Sequence, residues 1–109
     1  MADPGDELAQ TIAMLREDCA SKLPAAIAEI EALWQRLLSG EAPPACLQEL
    51  IGMVHGIAGA GAMFRLAAVG DAAHAIERFL EPIHAAGRRP DGVEHERFEA
   101  LIAALKQAA

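Results

Sequence analysis

Ser21-Lys22-Leu23-Pro24-Ala25-Ala26-Ile27-Ala28-Glu29-Ile30-Glu31-Ala32-Leu33-Trp34-Gln35-Arg36-Leu37-Leu38-Ser39-Gly40 is the stretch on which the fold turns. Leu23, Ile27, Ile30, Leu33, Trp34 and Leu37 recur every three or four residues, which places them on one face of an α-helix. Ser21 suits an N-cap, Pro24 fits a first helical turn, and Ser39-Gly40 ends the pattern. Upstream, Asp3-Pro4 predicts the start of a separate helix carrying Leu8, Ile12, Leu15 and Cys19. Downstream, Pro43-Pro44 opens a helix running to about Gly61. Another starts near Phe64 or Arg65, carries Leu66, Val69, Ala73, Ile76 and Leu80, and stops at Gly87, with Pro82 interrupting its last turn. Asp91 with Glu94 forms a capping-box signature before Phe98, Leu101, Ile102 and Leu105. Short connections between long helices favour antiparallel neighbours. The expected architecture is all-α: one domain over residues 1–109, with an antiparallel four-helix bundle over 21–109 and an additional N-terminal helix over 1–20 capping one end.

The composition agrees with that class. Of 109 residues 53% are hydrophobic but only 4% aromatic, so the core is aliphatic and needs neither disulfide nor metal at this length. Cys19 and Cys46 lack CxxC spacing and read as reduced core thiols in a cytoplasmic protein. No apolar run approaches the ~20 residues of a bilayer span, and the acidic Met-Ala-Asp-Pro start is unlike a signal peptide. A formal charge of −7 disfavours nucleic acid, and Arg88-Arg89 beside Pro90 reads as a solvated loop. A single-copy chain is expected.

Chemistry concentrates in Gly52-Met53-Val54-His55-Gly56-Ile57-Ala58-Gly59-Ala60-Gly61. Each glycine inside a helix costs about 0.8–1.0 kcal/mol against alanine, a residue this chain uses freely. At about 100° per residue, Leu47, Leu50, Ile51, Val54, Ala58 and Gly61 fall on the core arc. His55 falls on the flank with Gln48, Gly52 and Gly59, and Gly56 lies further round. An accessible imidazole among missing side chains can be approached closely by another protein. Neutral imidazole is a competent nucleophile near neutral pH and can form a phosphohistidine without an activating triad. An incidental surface histidine is the plainer alternative.

The run His55-Gly56-Ile57-Ala58-Gly59-Ala60-Gly61-Ala62-Met63-Phe64 resembles the signature of histidine-containing phosphotransfer (HPt) domains. Phe64, Leu66 and Gly70 are similar to that family's turn into the next helix, Ala73, Ile76 and Glu77 to its ending, and Leu23-Pro24 with Ile27, Ile30 and Trp34 to its preceding helix. The likeness spans roughly residues 15–85. It implies a phosphocarrier of a two-component phosphorelay, with His55 accepting a phosphoryl group from one receiver-domain aspartate and passing it to another. It also implies a response-regulator receiver or hybrid histidine kinase as partner, no cofactor of the chain's own, and a divalent metal carried by the receiver. Gly59 is then the residue whose missing side chain admits the receiver. Gln48, Gly52, Gly56 and Arg65 complete the expected partner face. The chain departs from the family's pattern at Ala58, where a lysine often stands, and at Arg65, where glycine often follows the aromatic residue.

No ATP-binding segment or catalytic set accompanies His55, so an independent enzyme is not expected. Two other classes remain open. One is a non-catalytic module that docks on a receiver or kinase as inhibitor or scaffold, motivated by Ala58. The other is a metal-binding bundle, suggested by Asp71-x-x-His74 and Glu81-x-x-His84, although both half-motifs fall on one helix. His74, His84 and His95 read as surface or boundary residues, Glu94, Glu96 and Glu99 as a solvated face, and Trp34 as core.

Overall fold

A computed structural model of the chain describes residues 4–109. Four helices follow one another: α1 (Pro4–Ser39), α2 (Cys46–Met63), α3 (Ala67–Ala85) and α4 (Gly92–Ala108). No strand occurs among the described residues. The all-α bundle expected from periodicity is therefore present. The separate N-terminal helix is not: residues 4–39 form one continuous helix.

The reason lies at Ser21 and Pro24. Ser21 Oγ donates to the Asp18 carbonyl at 2.7 Å, a back-bond within a running helix rather than an N-cap. Pro24 lacks the N–H that would bond the Ala20 carbonyl, but both residues lie on the exposed side, where water can serve that oxygen. The proline thus marks no boundary. The helix ends where glycine permits it: Gly40 has φ +86°, and the Ala42 N–H returns to the Arg36 carbonyl at 3.0 Å. The expected cap at Asp3 lies outside the described residues.

The core follows the predicted stripe. Leu23, Ile27, Ile30, Leu33, Trp34 and Leu37 of α1 are all buried against Leu47, Leu50, Val54, Ile57 and Ala58 of α2, Val69, Ala73, Ile76, Leu80 and Ile83 of α3, and Phe98, Ile102 and Leu105 of α4. Ile51 and Leu101, expected in the core, are only half-buried, and Ile57 replaces Ile51 on the inner face of α2. At the centre Trp34 is fully buried and stacks on Phe98, with ring centroids 4.2 Å apart and planes 14° off parallel. Its indole Nε1–H donates to His95 Nδ1 at 3.0 Å. His95 is thus the acceptor that allows the one tryptophan to be buried, a larger role than the boundary position read from sequence.

The α2–α3 turn is a Schellman motif. The Leu66 N–H bonds the Gly61 carbonyl at 2.7 Å and the Arg65 N–H bonds the Ala62 carbonyl at 3.4 Å. Arg65 takes the left-handed conformation, φ 57°, where glycine is favoured. Arg16 of α1 donates from Nε to the Phe64 carbonyl at 2.8 Å, tying the turn to the first helix. Pro82 sits inside α3, which continues to Ala85 before Gly87 reverses at φ 66°.

The capping box of α4 is present, with the Glu94 N–H on Asp91 Oδ1 at 2.8 Å and the Asp91 N–H on Glu94 Oε1 at 3.0 Å. Arg88 adds a two-pronged bridge to the Glu94 carboxylate at 2.6 and 2.7 Å. Arg88 and Glu94, read from sequence as a solvated loop and a solvated face, are therefore partners. The Arg88 guanidinium holds the Glu94 carboxyl below the usual carboxylate range.

Two predictions follow from these contacts. Replacing His95→Ala leaves the Trp34 N–H buried without an acceptor, so urea denaturation should register a loss of about 1–3 kcal/mol. Glu94 has a lower pKa folded than unfolded, so its stabilisation is complete above the unfolded carboxylate range, near pH ~4.3, and is lost as pH falls through the folded value. Glu94→Gln should cost about 1 kcal/mol at neutral pH and flatten that acid limb when thermal stability is measured against pH.

Candidate functional site

His55 projects from the middle of α2, one position beyond the fully buried Val54 and one turn before Gly59. Its side chain is 72% exposed, yet its inner nitrogen is held. Nδ1 lies 2.8 Å from Glu77 Oε2 and 3.1 Å from Oε1, across the groove between α2 and α3. Glu77 itself is 9% exposed, the only charged side chain in the core among the described residues. An ionised carboxylate can only accept, so Nδ1 carries the proton and Nε2 presents its lone pair outward. His74, one turn earlier on α3, stands with Nδ1 3.8 Å from Glu77 Oε1.

The sequence reading missed Glu77 as a positioning group. The signal was present: Gly70, Ala73, Glu77 and Leu80 share the buried stripe of α3, and a carboxylate on such a stripe needs a partner. His55 is that partner.

The glycines divide into two kinds. A methyl group added at Gly52, Gly56 or Gly59 would meet nothing within 4 Å. Gly61 is different, because a methyl there would stand 2.8 Å from the Gly70 amide nitrogen and 2.9 Å from its Cα. Gly61 lets α2 and α3 touch, while the other three leave the flank of His55 bare. Gln48 and Arg65 are exposed as expected. Ala58, at the position where a lysine would otherwise reach the site, is buried.

Beside this flank runs an apolar groove of about 360 Å³ between α1 and α2, lined in part by Leu15, Cys19, Leu23, Gly56, Ile57 and Phe64. Cys19 and Cys46 are free thiols, half-buried rather than in the core proper. The two carboxylate–histidine half-motifs do not converge, and no cluster of three or more metal-ligating side chains occurs among the described residues. No described helix is long and apolar enough to cross a membrane.

A helical bundle carrying an exposed imidazole on a bare helix face is the arrangement expected of a phosphotransfer module. The chain belongs to the Hpt domain family, whose family model matches residues 6–108. Comparison with curated proteins and with solved structures gives no match. Membership brings with it histidine phosphotransfer in phosphorelays and interaction with receiver domains and kinases.

The two classes of glycine should separate in a stability assay. Gly59→Ala should raise the free energy of unfolding by about 0.8–1 kcal/mol, whereas Gly61→Ala should lower it by about 1–3 kcal/mol by forcing α3 away.

Proposed function

We propose that the chain is a phosphocarrier in which His55 accepts a phosphoryl group from a receiver-domain aspartate and passes it to a second receiver. The observation that carries this reading is the Glu77–His55 hydrogen bond. With the proton on Nδ1, the Nε2 lone pair attacks the phosphorus of an aspartyl phosphate. The N–P bond forms, the P–O bond to the aspartate breaks, and its electron pair returns to the carboxylate. The ring then carries positive charge shared with the Nδ1 proton, which already faces the Glu77 carboxylate. No proton has to leave before or during the step. Onward transfer is the reverse, with a different aspartate attacking.

Positioning supplies most of the catalysis in phosphoryl transfer, together with charge neutralisation from the receiver's divalent metal. The bare Gly52, Gly56 and Gly59 flank lets the receiver's active site enclose the ring, with Gln48 and Arg65 at its edge. Arg65 is the nearest cation in sequence to take over the charge that Ala58 cannot supply.

Incubation with a phosphorylated receiver should place acid-labile phosphate on the wild-type chain and none on His55→Gln. Glu77→Ala should shift the His55 imidazole toward the Nε2–H tautomer in nitrogen NMR. Transfer should slow on the order of ten- to a hundredfold, the equivalent of a charged hydrogen bond of about 1.5–3 kcal/mol. Receiver binding that ignores His55→Gln, with no transferable label on either chain, would instead establish a docking module.

A further inference from the structure

The first half of α1 is the largest feature that the phosphocarrier reading leaves without a role. Leu8 is 62% exposed, Ile12 41% and Leu15 47%, with Cys19 half-buried behind them. These residues continue, at the same three- and four-residue spacing, the stripe that α2 and α4 cover from Leu23 onward. Within the described residues the coverage runs out on both sides. The α2–α3 turn reaches α1 at Arg16, and the end of α4 reaches it at Pro24 and Ile27. The molecule measures 59 × 21 × 21 Å, a bundle with a helical arm.

We propose that the arm pairs with the arm of a second copy of this chain, antiparallel, about a two-fold axis between Ile12 and Leu15. In that register Leu8 lies over Cys19 of the second copy and Ile12 over its Leu15, so each layer alternates the two positions of a heptad seam. The overlap from Leu8 to Cys19 spans about 18 Å of helix. A seam with 3–4 spacing takes another helix of the same spacing, and the arm is itself such a helix. The same patch serves both copies, so the assembly closes at two.

Charge selects the orientation. The first turn is acidic, with Asp6 and Glu7, while the other end of the overlap carries Arg16 and an exposed Lys22 that pairs with Asp18 of its own helix at 2.9 Å. Antiparallel pairing keeps the two acidic first turns apart, sets each beside the Asp18–Lys22 pair of the second copy, and opposes the helix dipoles. Parallel pairing would set two acidic turns side by side and crowd the two bundles together. In the antiparallel pair the bundles point away from each other, and Arg16 and Asp18 lie near Thr11 and Ala9 of the second copy, respectively, with no like charges opposed.

Sedimentation of the whole chain tests the proposal without reference to phosphate. The wild type should reach twice the monomer mass between micromolar and submillimolar concentration. Ile12→Asp should weaken the pairing about tenfold or more while leaving helicity intact. With Cys46→Ser throughout, mild oxidation of Leu8→Cys should yield a disulfide-linked dimer through Cys19 of the second copy, and adding Cys19→Ser should abolish it. A single-copy mass at every concentration would overturn the proposal. So would a dimer indifferent to Ile12→Asp, or a Cys19–Cys19 link in the Cys46→Ser chain, which would require parallel arms.

Discussion

Backbone contact between Gly61 and Gly70 sets the distance between α2 and α3, and the chemistry at His55 inherits that distance. The two helices run antiparallel from this point. His55 lies six residues back along α2 and Glu77 seven residues forward along α3, about 10 Å from the contact in each case. Two strides of similar length from one close approach bring an imidazole and a carboxylate to 2.8 Å. A helix separation wider by the thickness of one methyl group would break that bond and leave Glu77 with only His74 of its own helix, at 3.8 Å. The Schellman turn with Arg65 in the left-handed conformation is the local condition for the same approach, because it folds α3 back at once.

A second fixed point lies at the far side of the core. Trp34 stacks on Phe98 and gives its only donor to His95, so α1 and α4 are joined by both dispersion and a directed bond. The Arg88–Glu94–Asp91 cap then holds the start of α4 in the orientation that presents His95. The helix that carries His55 is supported by a partner on each flank: α3 through the glycine contact and α1 through the apolar core.

Much of this was legible in the sequence, and the omissions share a cause. The buried face of residues 23–37 was read residue for residue, because a 3.6-residue repeat of large aliphatics has few other uses. The flank of His55 was likewise legible from angular arithmetic. What failed was punctuation: Ser21 and Pro24 fit an N-terminus by local rules, yet both are compatible with an uninterrupted helix when the freed carbonyl faces water. Glu77 and His95 were missed because each acquires its role from a residue on another helix. Periodicity placed both on or beside apolar stripes, but it names no partner for a polar group found there.

The bare flank of α2 has a consequence for how such a protein can change. Gly52, Gly56 and Gly59 satisfy no requirement of the bundle, since a side chain at any of them would meet only solvent. Selection for a more stable fold and selection for access to the imidazole therefore pull these positions in opposite directions. Side chains can change there without disturbing the core, whereas a methyl group at Gly61 would strike the backbone of Gly70. The exposed face of α2 and the fold are, in this chain, separately heritable traits.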